Sequence, residues 1–168
     1  MGFGSAKLRP MFTFTPLRPA DLPRLRHWLM MPHVRAWWGD PEAGIREIRR
    51  LMASDWAEPM LVAWQGRQIG YLQAYDAVSA MPGGDGEPGS FGIDLFIGEP
   101  SYVGKGLGTA FLGAYTDRLL KGGRAARILG RPARANHRAV RCLEGAGFHP
   151  LEDEGGPLLA MAKDRPGA

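Results

Sequence analysis

A glycine-rich stretch, YVGKGLGT from Tyr102 to Thr109, has the residue types and spacing of an anion-binding segment. It follows the apolar run from Phe91 to Ile97 and opens a segment whose apolar residues recur at helical spacing. Glycines let a backbone approach a ligand closely, and the first N–H groups of a helix have no partner within that helix. Lys105 adds a positive charge. The stretch therefore predicts a binding site for a phosphate-bearing ligand.

Asp94 is the second candidate, because it places a carboxylate inside an otherwise apolar run just before the glycine-rich stretch. A carboxylate in that place is either functional, or it pairs with an arginine or faces solvent at a strand edge. Aromatic and amide side chains that suit a sugar or an ammonium group, but equally suit a core, are Trp37, Trp38, Tyr71, Gln73 and Tyr75. The last three alternate along the chain and therefore share one strand face.

The composition is that of one ordinary globular domain. The chain has 168 residues, of which 45% are hydrophobic and 23% charged, and no apolar run approaches the roughly 20 residues of a membrane-spanning helix. We expect a disordered leader over residues 1–10, one domain over 11–163 and a tail over 164–168. The single cysteine, Cys142, excludes an internal disulfide and favours a reducing, cytoplasmic compartment. We expect it to be a buried structural thiol rather than a nucleophile.

The distribution of charge and the spacing of potential metal ligands narrow the classes of binding partner. Six arginines lie between Arg124 and Arg141, but aromatic residues are not interleaved with them, so nucleic acid is not the expected partner. The four histidines and the cysteine show no zinc-ligand spacing, and no metal is expected. The sequence favours a small-molecule partner, with no membrane association and with a monomer or homodimer as the assembly.

Periodicity and turn residues predict the elements that hold these candidates. Strands are predicted over residues 11–18, 60–64, 68–75, 91–97, 126–130 and 158–162, and helices over 21–30, 41–56, 105–120 and 135–145. Residues 34–40 and 78–90 are predicted to be loops. The order indicates an α+β, or mixed α/β, single domain in which helices cover one layer of sheet.

Two segments together resemble the GNAT N-acetyltransferase superfamily. The first is GIDLFIG, Gly92 to Gly98, followed by GKGLGT, Gly104 to Thr109; the second is NHRA, Asn136 to Ala139, followed by RCLEGAGF, Arg141 to Phe148. The order of elements from Phe12 to Met161 fits as well. Within the superfamily the chain is similar to bacterial aminoglycoside 6'-N-acetyltransferases. The resemblance implies a GNAT fold, with a central, mostly antiparallel sheet of six to seven strands flanked by about four helices.

The resemblance also implies acetyl-CoA as the cofactor. In the superfamily the glycine loop cradles the pyrophosphate of coenzyme A through backbone N–H groups, and a backbone N–H, here between Phe96 and Gly98, polarises the thioester carbonyl. Asn136 would bond the pantetheine arm, with a helix N-cap as its alternative role. The implied cofactor-binding residues are Phe96, Ile97, Gly98, Val103, Gly104, Lys105, Gly106, Leu107, Gly108, Thr109, Asn136, Ala139 and Cys142.

For the acceptor, the resemblance implies a primary amine, most specifically the 6'-amine of an aminoglycoside, that attacks the thioester directly in a ternary complex. Asp94 would contact this amine and act as the catalytic base, directly or through water. The implied substrate-binding residues are Trp37, Trp38, Tyr71, Gln73, Tyr75, Asp94 and Arg131.

Three positions depart from the family pattern. Leu143 stands where many members carry a tyrosine that protonates the leaving thiolate, so Tyr102, Tyr115 or a water is expected to replace it, or the thiolate leaves unaided. Val103 replaces a glutamine or arginine of the loop. Arg131 stands where the aminoglycoside enzymes carry an acidic residue that holds a substrate amine. Acidic compensation is expected from Asp76, Asp85, Glu87, Glu99 or Glu42.

Three functions stay open at this point. The first is acetylation of an aminoglycoside, and the second is acylation of a siderophore precursor or a protein N-terminus, for which Arg131 would bind a carboxylate. The third is a coenzyme A-binding sensor without catalysis. The presence of Asp94 argues against the third, since ligand binding alone does not require a carboxylate beside the thioester.

Overall fold

The computed structural model of the chain describes residues 12–82, 86–153 and 155–167. Within them seven strands form one sheet in the spatial order β1-β2-β3-β4-β5-β7-β6. The strands are β1 (Phe12–Pro16), β2 (Ala57–Trp64), β3 (Arg67–Asp76), β4 (Ser90–Ile97), β5 (Arg127–Gly130), β6 (His149–Pro150) and β7 (Met161–Asp164). Neighbouring strands run antiparallel except β4 and β5, which are parallel. The mostly antiparallel sheet is confirmed.

Six α-helices lie in the same described residues. They are α1 (Leu22–Met30), α2 (Pro32–Trp38), α3 (Pro41–Met52), α4 (Ala77–Ala80), α5 (Leu107–Lys121) and α6 (His137–Gly145). The α+β fold is confirmed, with the short helices α2 and α4 added to the predicted four. In the part of the chain that the structure describes, no helix is long and apolar enough to cross a membrane.

The prediction of a loop over residues 34–40 is wrong, because Pro32 begins a helix instead of only ending the preceding one. A proline is tolerated in the first turn of a helix, where its missing N–H is not needed. Pro32 occupies that position in α2. Gly39, with φ of 74°, follows the last residue, and its N–H donates to the Arg35 carbonyl at 3.1 Å.

Other element boundaries also differ from the predictions. Within the predicted loop 78–90, the single turn α4 begins after Asp76, whose side chain accepts the Ser79 N–H at 2.8 Å. The last strand is β7, which includes Asp164, and Leu158 makes only an isolated bridge with Ala133. Strand β6 was not predicted, and it is only two residues long. The predicted leader over residues 1–10 lies outside the described residues.

The two faces of the sheet bury separate hydrophobic clusters. On one face, α5 and α6 pack on the strands, and Phe111 and Leu112 are fully buried. On the other face, α1, α2 and α3 cover Tyr71 and Phe96. The neighbouring residues Tyr71 and Leu72 of β3 therefore face different clusters, as expected for a strand covered on both sides.

β4 and β5 separate after a short parallel pairing. They pair only at Ser90–Gly92 and Arg127–Leu129. Beyond Gly92, β4 continues its pairing with β3 but has no partner on the β5 side within the described residues. Backbone polar groups that a sheet leaves unpaired need other partners, and one of them, the Ile97 carbonyl, lies 2.8 Å from His33 Nε2. The opening between β4 and β5 begins just after Gly92, and Asp94 lies within it.

Candidate active site

Asp94 belongs to a row of hydrogen-bonded side chains across β3 and β4. It lies opposite Gln73 in the antiparallel pair, and Gln73 Nε2 donates to Asp94 Oδ2 at 2.9 Å. The buried Tyr71 hydroxyl donates to Gln73 Oε1 at 2.9 Å. This second bond fixes which end of the Gln73 amide faces Asp94, so the carboxylate receives a donor. Three residues singled out in the sequence thus lie together.

Burial raises the pKa of the Asp94 carboxyl group above its ordinary value of 3.8. Desolvation is the main cause; hydrogen bonds from Gln73 and Tyr75 act in the opposite direction, and the negative charge of Glu47 adds to the rise. Burial and the charge of Asp94 also raise the pKa of the Tyr75 hydroxyl, which therefore stays protonated. A carboxylate with a raised pKa is a better proton acceptor near neutral pH than an ordinary aspartate.

Asp94 lies in a cleft of about 420 Å³, here called the Asp94 cleft, where β4 and β5 separate. Of the predicted substrate-binding residues, Gln73, Tyr75, Asp94 and Arg131 line it. The other lining residues are Glu47, Arg50, Leu51, Trp56, Ala77, Ala80, Met81, Gly86, Gly92, Leu129 and Leu158. They come from helices, strands and connecting segments far apart in sequence, so no local motif indicates them.

A glycine in β4 creates the space for one wall of this cleft. Gly92 lies opposite Tyr75 in the β3–β4 pair, and the Tyr75 ring covers it. A Cβ atom built on Gly92 would lie 2.1 Å from Tyr75 Cε2, which is far below van der Waals contact. Only glycine therefore permits the position that brings the Tyr75 hydroxyl to Asp94.

Glu47 is the acidic residue of the cleft that the sequence analysis missed. Its two carboxylate oxygens accept from Arg50 Nε at 2.9 Å and from Arg50 Nη2 at 2.7 Å. These bonds to Arg50 lower the pKa of Glu47. The Arg50 guanidinium in turn lies 5.0 Å from the centre of the Trp56 ring. Glu47 and Arg50 are three residues apart on α3, so their side chains lie on the same side of the helix. In the sequence, the one available signal for Glu47 was that it is a single glutamate among the arginines at positions 46, 49 and 50.

Arg131 follows β5 and enters the cleft as an exposed side chain. Its positive charge lies close enough to act on the pKa of Tyr75, which it lowers against the larger effect of burial. Among the described residues it has no ion-pair partner. The cleft therefore holds an unpaired cation as well as Asp94.

The structure does not bring Trp37 and Trp38 into the Asp94 cleft. The Trp38 ring packs edge-on against Phe96, with ring centres 4.9 Å apart, and also contacts Tyr71 at 6.2 Å. Trp37 lies on α2 with 48% of its surface exposed. Trp38 thus packs beside a buried cluster, the alternative noted for this pair, and substrate contact by either residue stays a prediction.

The glycine-rich loop offers a run of free backbone donors. Gly104 and Gly106 have φ of 77° and 75°, a region that other residues rarely adopt. No N–H group from Gly104 to Thr109 donates to a backbone oxygen in the described residues, and the first bond of α5 runs from Ala110 to Gly106. A Cβ atom built on Gly104 or Gly106 meets nothing within 4 Å. Free donors with open space before them fit a pyrophosphate group.

The other residues expected to bind the cofactor differ in burial and in hydrogen bonding. Leu107 and Phe96 are buried, so only their backbones are available, and Cys142 is half-buried on α6 with its thiol pKa raised by burial. This agrees with a structural thiol. Asn136 Oδ1 accepts the Ala139 N–H at 3.1 Å and so caps α6. The N-cap role of Asn136 is present, and its bond to a pantetheine arm stays a prediction.

Tyr102 and Tyr115, the side chains expected to protonate the leaving thiolate in place of a tyrosine at position 143, have different surroundings. Leu143 is buried. Tyr115 is buried in the same hydrophobic cluster as Leu143, and its hydroxyl donates to Glu58 at 2.7 Å, so its proton is already engaged. Tyr102 is half-buried and packs edge-on against Trp64, with ring centres 6.0 Å apart. No cluster of three or more potential metal ligands occurs in the described ranges.

The acidic residues expected to compensate for Arg131 are engaged elsewhere or lie outside the cleft. Glu42 pairs with Arg26 at 2.7 Å, Asp76 caps α4, and Glu99 accepts from Trp28 at 3.0 Å. Glu87 is exposed and Asp85 lies outside the described residues. The expected compensation by Glu42, Asp76, Glu87 and Glu99 is therefore wrong, because none of these four residues lines the Asp94 cleft.

Comparison with known proteins identifies relatives. A family model described as an acetyltransferase (GNAT) domain matches residues 18–153. Aminoglycoside N(6')-acetyltransferase type 1 of Klebsiella pneumoniae is 33% identical over 161 residues, covering 86% of this chain and 79% of the relative. The structure of AAC(6')-Ib with coenzyme A and kanamycin is 30% identical with a TM-score of 0.79, covering 92% of this chain and 95% of that chain. The AAC(6')-Ib complex with parmomycin and acetyl-CoA is 31% identical with a TM-score of 0.79, covering 92% and 93%.

Proposed function

Because the chain belongs to the GNAT acetyltransferase family, we propose that it transfers an acetyl group from acetyl-CoA to the 6'-amine of an aminoglycoside. The observation that carries the proposal is Asp94, a carboxylate of raised pKa in a cleft at the point where β4 and β5 separate. The named activity of the Klebsiella pneumoniae relative and the kanamycin bound to AAC(6')-Ib support the acceptor class.

The glycine-rich loop would hold the coenzyme. The free N–H groups from Gly104 to Thr109 suit its pyrophosphate, and the positive end of α5 adds to the attraction. Acetyl-CoA supplies the acetyl thioester. The backbone between Phe96 and Gly98 would orient the thioester carbonyl, and an N–H group there would stabilise the charge that develops on its oxygen.

Asp94 would prepare the acceptor amine. An amine attacks only as the neutral species, so a proton must leave it, and Asp94 would accept that proton directly or through a water. Gln73 and Tyr75 would hold the carboxylate in place through their hydrogen bonds. Holding amine and thioester together supplies a further part of the rate enhancement.

Leu143 cannot protonate the leaving thiolate, and the Tyr115 hydroxyl is bonded to Glu58. A thiol with a pKa of about 8.5 is a tolerable leaving group near neutral pH. We therefore propose that water protonates it after departure. We also propose a cytoplasmic location and a monomer or homodimer as the assembly.

The direct test is acetyl-CoA-dependent release of free thiol with kanamycin A, followed by mass analysis of the product. Paromomycin, which carries a hydroxyl instead of an amine at the 6' position, is the matched control acceptor. We expect release of one thiol per acetylated kanamycin and no acetylation of paromomycin at the 6' position. Transfer to lysine derivatives or short peptides, with none to kanamycin, would favour the other acyltransferase function. Binding of acetyl-CoA without transfer to any acceptor would favour the sensor.

A further inference from the structure

The charges of the Asp94 cleft are unevenly paired. Four charged side chains line it: Glu47, Arg50, Asp94 and Arg131. Glu47 and Arg50 neutralise one another through two hydrogen bonds on α3. Asp94 and Arg131 have no ion-pair partner among the described residues. The cleft is therefore dipolar, with an unpaired anion on β4 and an unpaired cation just after β5.

These two unpaired charges present different demands to an acceptor. An amine approaching Asp94 meets an attractive carboxylate. A second ammonium group that reaches Arg131 meets a like charge, which disfavours binding in a partly desolvated cleft. The guanidinium has five N–H donors and no acceptor, so it bonds hydroxyl, carbonyl or carboxylate oxygens.

Resting on the proposed function, we propose that Arg131 selects acceptors by charge. The cleft takes an amine at Asp94 whose neighbouring groups are hydroxyls or carboxylates, and it discriminates against an acceptor that carries a second ammonium group toward Arg131. Glu47 does not cancel the charge of Arg131, because it already forms an ion pair with Arg50 through two hydrogen bonds.

Kanamycin A and kanamycin B provide a matched pair of acceptors. They differ in one group on the sugar that carries the 6'-amine, which is a 2'-hydroxyl in kanamycin A and a 2'-amine in kanamycin B. The measured quantity is the ratio of kcat/KM for kanamycin A to that for kanamycin B. We expect the native protein to favour kanamycin A. Arg131→Glu should shift the ratio toward kanamycin B by about tenfold, mainly through KM, since the charge is reversed at an exposed position.

Arg67→Glu is the control with the same change in net charge. Arg67 is exposed at the opposite end of β3 from Tyr75 and does not line the cleft. We expect this variant to leave the kanamycin ratio unchanged. A ratio that shifts equally in both variants would mean that overall charge, and not the position of Arg131, controls selection, and would overturn the proposal.

Calorimetric binding of both acceptors to the coenzyme A-bound protein separates this proposal from the proposed function. If neither kanamycin is acetylated but kanamycin A binds more tightly and Arg131→Glu removes that preference, acetylation fails as the function while charge selection by Arg131 stands. If the ratio of affinities and the ratio of kcat/KM are both unaffected by Arg131→Glu, the inference is overturned whatever the activity.

Discussion

The glycine-rich loop and the Asp94 cleft, the proposed coenzyme and acceptor sites, are built in different ways. The loop offers backbone N–H groups from six consecutive residues, Gly104 to Thr109, that donate to no backbone oxygen in the described residues. The cleft is built from side chains of α3, β3, α4, β4 and β5 that are up to about a hundred residues apart in sequence. In the proposed function, the phosphate group would be recognised by local backbone geometry, and the acceptor would be recognised by a tertiary arrangement.

Because the two regions are built differently, substitutions in them should have separable effects. Changes in the loop alter backbone conformation and so act on the coenzyme. Changes in the cleft alter charge or shape and so act on the acceptor and on proton transfer. An effect of a loop substitution on the acceptor, or of a cleft substitution on coenzyme affinity, would contradict this separation.

Asp94→Asn should have the largest effect. The amide cannot accept the proton of the amine, so kcat should fall about 100- to 1,000-fold, a typical contribution of a general base. The affinity for acetyl-CoA, measured calorimetrically, should stay the same. Asp55→Asn is the control, since Asp55 is exposed and does not line the cleft. If Asp94→Asn also weakens acetyl-CoA binding, the loop and the cleft do not act independently.

Gly92→Ala should act on the acceptor through Tyr75. The new Cβ would lie 2.1 Å from the Tyr75 ring, so the ring must leave its place beside Asp94. We expect kcat/KM for kanamycin A to fall about tenfold, which is the loss of one modest interaction in the transition state. Gly113→Ala, in open space on α5, is the control for a glycine-to-alanine change. Unchanged kinetics in Gly92→Ala would show that Tyr75 has no role in catalysis.

Gly106→Ala should weaken acetyl-CoA binding without changing the acceptor preference. Residue 106 has φ of 75°, and the left-handed region costs a non-glycine residue roughly 1–2 kcal/mol. If the loop relaxes to avoid this strain, its N–H groups move, and we expect the Kd for acetyl-CoA to rise about fivefold. Gly113→Ala again serves as the control. If Gly106→Ala leaves the Kd for acetyl-CoA unchanged but alters the kcat/KM ratio of the two kanamycins, the loop acts on the acceptor and not on the coenzyme.

The smallest effect concerns stability. The pKa of Asp94 is higher in the folded protein than its ordinary value of 3.8, so the folded state binds a proton more readily than the unfolded state. Ionisation of Asp94 therefore destabilises the fold as the pH rises above about 4, and the cost is fully present above the folded pKa. Asp94→Asn should raise the Tm at pH 7 by about 2 °C, and the gain should disappear at pH 3. An equal gain at both pH values would exclude ionisation as its cause.

The fold and the coenzyme region were largely predictable because their signals are local. The glycine spacing, the apolar run before it and the cap at Asn136 each lie within a few residues, and the strands that hold them are confirmed. Pro32 was the exception: a proline that ends one helix also begins the next, and only the three-dimensional path distinguishes these roles.

The acceptor region was predicted only in part. Gln73 and Tyr75 were found because strand alternation placed them on one face, and Asp94 was found because its carboxylate interrupts an apolar run. Glu47, Arg50 and Trp56 were missed because their approach to Asp94 depends on how α3 packs on the sheet. Trp37 and Trp38 were selected for their chemistry alone, and the packing of Trp38 on Phe96 was not visible in the sequence.

The pH dependence of kcat measures whether Asp94 is the proton acceptor for the reacting amine. The measurement uses saturating acetyl-CoA and kanamycin A between pH 5 and 9, for the native protein and for Asp94→Asn. We predict that the native protein loses activity on the acid side as Asp94 becomes protonated, and that this acid limb disappears in the far slower variant. An identical acid limb and a similar kcat in Asp94→Asn would contradict the account.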